Sequence, residues 1–133
     1  LARISTVGGD VLRGLSCSEQ SYLGFGEAYF SWVNSGTIKA WKRHKKMTMN
    51  IVVPVGLVRF VFCYIQGRKV LQKKEAVIGQ ENYARLTVPP GIWFGFMGVS
   101  QTSSLILNIA DIPHDPNEVE HIAFDKLNYR WEK

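Results

Sequence analysis

The sequence predicts an all-β domain, a sandwich or small barrel. Short apolar segments rich in Val, Ile, Phe, Tyr and Trp recur along it, turn formers separate them, and nothing reads as a repeated helical hairpin. Each such strand must bury one face against a second sheet, which makes a two-layer or closed β architecture the economical solution.

The first 24 residues hold two short apolar stretches among Gly8, Gly9, Gly14 and Gly24, and no regular element is assigned to them. "EAYFSWV" reads as a strand, "NSG" as a turn and "TIKAWK" as the next strand. "MNIVVPV" and "LVRFVFCYI" are strands on either side of Gly56. The stretch "QGRKVLQKKEAVIGQENYARLTV" gives a polar, hairpin-like connection and a further strand. "PPGIWFGFMG" is a proline-glycine turn feeding an apolar strand, and "SSLILNIA" is the last strand. The remainder, "DIPHDPNEVEHIAFDKLNYRW", reads as polar coil with short helical turns near residues 117–121.

At 133 residues the chain is expected to form one domain, residues 1–133, around a single core. Hydrophobic residues at 46% and charged residues at 20% exclude a wholly disordered chain. No run approaches the roughly 18 apolar residues of a membrane span, and the N-terminal residues lack a signal-peptide segment, so a cytoplasmic protein without a membrane partner is expected. Cys17 and Cys63 have no zinc-like spacing, and Cys63 sits in an apolar strand as a buried thiol would. Lys and Arg (16) outnumber Asp and Glu (11), a net charge of +5 that favours anionic partners. Without zinc-finger spacing or an RNA-binding aromatic pair, nucleic acid is not among the partners expected.

The densest chemistry lies in "GTIKAWKRHKKMTMNIVVPVG". Gly36 is followed after five residues by Lys42, after one by His44, after four by Met49 and after six by Gly56. This spacing resembles the first motif of the cupin fold, a double-stranded β-helix or jelly roll, in which two histidines and a glutamate stand at the three middle positions. Pro89 and Gly91 fit the proline-x-glycine turn of the second motif, and Phe94 stands where a metal-binding cupin has histidine. His44 alone keeps a ligand side chain, so neither a metal site nor another cofactor is expected. Lys42 and His44, one residue apart, would share a strand face and are the candidate catalytic pair. The alternative for His44 is a hydrogen-bonded histidine at a strand end. Lys45 and Lys46 read as solvated surface, and Phe60, Phe62 and Phe96 as core.

Within the cupins, the chain resembles the dTDP-4-dehydrorhamnose 3,5-epimerase family over roughly residues 25–131. "FGEAYFSWVNSGTIKAWKRH" follows the family's first strand and its glycine-x-x-arginine-glycine-leucine-histidine segment; "ENYARLTVPPGIWFGF" and "LILNIAD" follow the later strands. "VLRGLS", residues 11–16, imitates the first segment but lacks the strand and spacing that follow it. The resemblance implies a metal-free cupin acting on nucleotide-linked 4-keto sugars, with a histidine base, a supporting aspartate and a tyrosine acid. Carried onto this chain, the histidine position holds Lys42, the tyrosine position falls at or near Leu107, and Asp125 matches part of the aspartate segment. Family-like homodimerisation is also implied, with residues 1–24 as an N-terminal extension or a strand exchanged with the partner.

The resemblance implies a metal-independent epimerase or isomerase of a nucleotide-linked 4-keto sugar in surface-polysaccharide (lipopolysaccharide) biosynthesis, and the residues present make Lys42 and His44 its expected acid-base pair. Tyr29 or Tyr83 would supply the acid. Glu27, Lys39, Arg43, Trp41, Trp93 and Asn108 are the candidate substrate contacts: Lys39 and Arg43 for a diphosphate, the tryptophans for stacking, Glu27 and Asn108 for sugar hydroxyls. The alternatives are a non-catalytic carbohydrate or nucleotide-sugar binding module and a structural partner subunit.

Overall fold

The computed structural model describes residues 1–67 and 69–132. The strands are β1 (Arg3–Ile4), β2 (Val11–Leu12), β3 (Glu27–Val33), β4 (Ile38–His44), β5 (Met49–Val55) and β6 (Leu57–Gln66). They continue with β7 (Lys69–Gly79), β8 (Leu86–Val88), β9 (Trp93–Gly98), β10 (Ser104–Ala110) and β11 (Val119–His121). Two sheets form the body, one ordered β3-β10-β5-β8 and the other β11-β4-β9-β6-β7, every pairing within them antiparallel. This is the jelly roll that the cupin-like spacing predicts.

The expected strands from "EAYFSWV" to "SSLILNIA" are all present. Where coil and helical turns were expected near residues 117–121, there is a 3₁₀ turn, Pro116–Glu118, and then a strand, β11. The short sequence "VEH" has no alternation of its own to announce a strand; its pairing with Lys42, Arg43 and His44 of β4 supplies the structure. Asp115 caps the preceding turn by accepting a hydrogen bond from the Asn117 backbone N–H at 2.9 Å. β1 and β2 pair with each other and lie outside both sheets.

Alternation along the strands divides the apolar residues into two cores. Between the sheets lie Val33, Met49, Ile51, Val53, Val58, Phe60, Phe94 and Ile106, with Phe62 and Phe96 packed against them. The second core covers the outer face of the larger sheet, where Trp41, Val61, Cys63 and Trp93 pack beneath Leu127, Tyr129 and Trp131 of the C-terminal segment. Cys63 is buried there as its apolar strand implies, and Cys17 is exposed.

An irregularity in β4 sorts its residues between these cores. Lys39 pairs with Phe96, Ala40 with Gly95, and Lys42 with Phe94, leaving Trp41 as an extra residue in the register. Its backbone is satisfied elsewhere: Trp41 donates its N–H to the Ile122 carbonyl at 3.1 Å and accepts from the Ile122 N–H at 3.2 Å. The indole N–H donates to the Phe124 carbonyl at 3.0 Å, and the ring is 1% exposed. Gly95 makes room for this arrangement, since a Cβ there would come within 2.5 Å of the Ala40 Cβ and 3.1 Å of Trp131 Cζ2. Ala40 and Trp41 therefore both face outward, and Lys39, Lys42 and His44 face the space between the sheets.

Replacing Trp41 by Ala should cost about 3–5 kcal/mol of unfolding free energy in urea titration, because it empties the centre of the outer core and strands the Phe124 carbonyl. A loss below about 1 kcal/mol would show that the C-terminal segment is not held by this side chain.

Candidate active site

The space between the sheets is filled at one end and hollow at the other. An outer chamber of about 420 Å³ is lined by Ser31, Lys39, Lys42, Phe94, Phe96 and His121, among others. Next to it is a smaller, inner chamber of about 60 Å³, bounded also by Tyr29, Met49, Ile51, Phe60, Ile106 and Asn108. Lys42, Ser31, Phe94 and Phe96 border both chambers. The size and the mixture of aromatic walls with a few polar groups are those of a small-molecule site.

His44 is held from behind. Its Nδ1 lies 2.5 Å from Glu118 Oε1, and both side chains are buried, at 6% and 4% exposure. Glu118 Oε2 accepts backbone N–H bonds from Lys46 at 3.1 Å and Met47 at 3.2 Å. Burial opposes ionisation of Glu118, but these bonds and the His44 bond outweigh it and place its carboxyl below the ordinary range. The carboxylate thus accepts at every contact, which fixes the proton of neutral His44 on Nδ1 and leaves Nε2 as a lone-pair acceptor. Nε2 is buried and finds no protein partner among the described residues. Burial also pushes His44 below the ordinary imidazole value, overriding the opposing pull of Glu118, with Lys42 and His121 adding to the depression. His44 is therefore a neutral, oriented base at neutral pH, and its ring lies parallel to Phe94 at 6.2 Å between centroids.

Lys42 stands at the next inward position of β4. Burial holds its amine below the ordinary lysine value; Glu118 pulls the other way, and Lys39 adds to the depression. Its Nζ is 5.8 Å from the centre of the Phe94 ring, at the outer limit of cation–π attraction. Among the described residues it makes no ion pair or hydrogen bond. Lys39 is exposed at the mouth and donates to the Trp32 carbonyl at 3.1 Å. Across the cavity, Asn108 Nδ2 donates to the Tyr29 hydroxyl oxygen at 2.9 Å, so the Tyr29 proton is free to be donated elsewhere. Asn108 Oδ1 is buried without a partner among the described residues.

The candidate residues thus separate. Lys42, Lys39 and Asn108 line the two chambers, His44 lines neither but stacks on Phe94, which lines both, and Tyr29, one of the two candidate acids, borders the inner one. Tyr83 does not; its hydroxyl donates to the Arg13 carbonyl at 2.7 Å. Of the other candidates, Trp41 packs in the outer core and also lines the outer chamber with Lys42, whereas Arg43 and Trp93 border neither chamber. Arg43 turns outward to Glu120 at 2.8 Å, its guanidinium 4.8 Å from the Trp93 ring. Strand alternation is the physical reason: Arg43 lies between the inward Lys42 and His44, and Trp93 precedes the inward Phe94. Glu27 pairs with Ala110 at the far end of β3 and does not border the cavity. Leu107 faces outward, against Phe30 and Ile109. Asp125 is exposed, and the acid that engages the catalytic candidates is Glu118, 74 residues from His44. No group of three His, Cys, Asp or Glu side chains suited to a metal ion occurs among the described residues.

No protein-family model matches the chain, and no curated protein does. Solved structures do. A dTDP sugar isomerase of Desulfovibrio desulfuricans is 34% identical, with a TM-score of 0.89 over 98% of this chain and 86% of that one. A dTDP-4-dehydrorhamnose 3,5-epimerase of Sulfolobus tokodaii is 16% identical, with a TM-score of 0.81 over 98% and 78%. A dTDP-6-deoxy-D-glucose-3,5-epimerase of Legionella pneumophila, solved with dTDP-4-keto-L-rhamnose, is also 16% identical, with a TM-score of 0.82 over 98% and 74%. The last two share the fold.

Glu118→Gln should release the His44 ring. Nitrogen-15 NMR of labelled histidine is expected to show the Nδ1–H tautomer in the native protein near pH 7 and a mixture of tautomers in the variant. The imidazole midpoint, already below 6.5, should fall further, since Glu118 is the group that raises it. A doubly protonated His44 at pH 7 in the native protein would contradict this account.

Proposed function

Because the chain belongs to the dTDP-4-dehydrorhamnose 3,5-epimerase-like cupin family, we propose that it is a metal-independent epimerase or isomerase acting on a nucleotide-linked 4-keto sugar. The observation that carries this reading is the cavity lined by Lys42, with the buried His44–Glu118 pair one inward position further along β4, behind the Phe94 wall. Moving a stereocentre or a carbonyl next to a ketone requires removal of an α proton, stabilisation of the enolate and return of a proton. His44 Nε2 is the base in this reading. Lys42 is the second proton-transfer group, and Tyr29, held by Asn108, supplies a hydroxyl on the opposite wall. Lys39 at the mouth is the cation best placed for the diphosphate. The donor set supports metal independence: the cupin ligand positions other than His44 carry an amine, a thioether and a phenyl ring. Action in the cytoplasm, on the way to a surface polysaccharide, extends the family reading.

The second reading is a non-catalytic carbohydrate or nucleotide-sugar binding module. The outward-facing Leu107 at the family's tyrosine position favours it, because a leucine turned away from the cavity transfers no proton.

Proton NMR in heavy water, with dTDP-, UDP- and GDP-linked 4-keto sugars, decides between the readings. Deuterium is expected to enter at a carbon beside the ketone, and Lys42→Met and His44→Asn, both folded, should slow this by at least about 100-fold. Exchange should rise with pH and level off before the ordinary lysine value of 10.5, because the reactive form of Lys42 is the neutral amine. Binding without exchange across the panel would favour the binding module.

A homodimer is part of the proposal. On the outer face of the smaller sheet, Phe30 and Trp32 are 63% and 58% exposed, and Phe25 beside them is 63% exposed. β3 also leaves one edge unpaired, where an N-terminal strand of a second copy could add. Trp32→Glu should shift the molecular mass in light scattering from dimer to monomer; an unchanged mass, or a monomeric native protein, would refute this interface.

A further inference from the structure

Lys42 differs from the histidine expected at its position in more than basicity. A primary amine forms a carbon–nitrogen double bond with a ketone, which an imidazole does not. Its surroundings favour the neutral, nucleophilic form: Phe94 and Phe96 wall the cavity around it, and Lys39 adds positive charge nearby. Glu118, the carboxylate that would otherwise hold it charged, is occupied by His44 and by the backbone of Lys46 and Met47. The Phe94 ring, 5.8 Å from Nζ, does not replace the lost hydration of an ammonium ion.

We propose that Lys42 is a covalent catalyst, attacking the ketone carbon of the bound sugar and holding it as an iminium ion while His44 moves the neighbouring proton. This rests on the epimerase or isomerase reading above and specifies the chemistry of the same site. The amine lone pair forms the C–N bond as the carbonyl π electrons move to oxygen, and a proton passes from nitrogen to that oxygen to give a carbinolamine. A second proton, from the Tyr29 hydroxyl or solvent, leaves with the C–O bond as water, and the nitrogen lone pair closes the iminium. The cationic nitrogen then draws electrons from the α C–H bond, whose proton goes to His44 Nε2, leaving a neutral enamine. Return of the proton to the opposite face, or to a different carbon, regenerates an iminium. Water adds to it, and expulsion of the amine restores the ketone, Lys42 and the borrowed proton. No oxidant or reductant is consumed.

The surrounding geometry suits these steps. His44 is the next inward residue of β4, its Cα about one strand repeat, roughly 7 Å, along the wall from that of Lys42. The unpartnered Asn108 Oδ1, opposite Lys42, can accept from the carbinolamine hydroxyl or a sugar hydroxyl.

The test incubates the full chain with a dTDP-linked 4-keto-6-deoxyhexose and sodium cyanoborohydride near neutral pH, with parallel exchange assays in heavy water. Intact mass spectrometry is expected to show one adduct, heavier by the sugar nucleotide less one oxygen atom, and peptide mapping should assign it to Lys42. Lys42→Arg, which keeps the charge but forms no iminium, should lose the adduct and at least about 100-fold in exchange. His44→Asn should keep the adduct while losing exchange, which a purely structural role for Lys42 would not produce. Exchange without an adduct at Lys42, adducts spread over surface lysines, or undiminished exchange in Lys42→Arg would each overturn the iminium and leave the epimerase or isomerase reading standing. Neither exchange nor adduct would overturn both.

Discussion

The single extra residue in β4 is the constraint on which the site depends. A regular strand from Lys39 to His44 would put Lys39, Trp41 and Arg43 on one face and Ala40, Lys42 and His44 on the other. With the extra residue, Lys39 joins Lys42 and His44 on the inner face, Ala40 turns outward, and Trp41 keeps its place in the outer core. The bulge is stable because Ile122 takes both backbone bonds of Trp41 and Phe124 takes its indole N–H. Packing of the C-terminal segment on the outside and placement of cations on the inside are therefore one event.

The same segment supplies the second control. β11 pairs with β4 opposite Lys42, Arg43 and His44, and the turn before it delivers Glu118 to the back of His44. A buried carboxylate is costly unless its oxygens are satisfied, and two backbone N–H groups and an imidazole satisfy this one. Glu118 in turn explains why Lys42 stays unpaired: the nearest carboxylate is already committed. A desolvated lysine without an ion pair lowers stability, as functional groups often do, and the two cores of the domain offset that cost.

Most of the fold was legible in the sequence, because seven strands announce themselves through apolar β-formers bounded by Gly, Pro and Asn, whereas β7, read as a polar connection, is a strand whose lysines and glutamate face solvent. Gly36, Gly56 and the Pro89–Gly91 turn also give the cupin-like spacing that marks Lys42 and His44. The bulge was not legible: "IKAWK" alternates as an unbroken strand would, and what satisfies the bulged backbone of Trp41 lies some 80 residues away in a segment that reads as coil. Arg43 and Trp93 face outward by strand alternation, next to the inward Lys42 and Phe94, and what the sequence hides is their meeting with Glu120 and with each other. Glu118 was missed for a related reason, since "PNEVE" carries no local signal that one of its two glutamates is buried and the other exposed to Arg43. Tyr29 and Asn108 lie on neighbouring strands, 79 residues apart in sequence, so their hydrogen bond is a product of sheet order alone.

The central claim is that β4 presents an unpaired, desolvated amine at the cavity, its pKa held below the ordinary lysine value. Its most direct test is the titration of Lys42 itself, by carbon-13 NMR of the reductively methylated protein with Lys42→Arg identifying the resonance. The account predicts a midpoint below 10.5 that rises toward that value when Lys39 is replaced by Met and falls further in Glu118→Gln. A midpoint at or above 10.5, unmoved by either substitution, would place Lys42 in solvent and contradict the site described above.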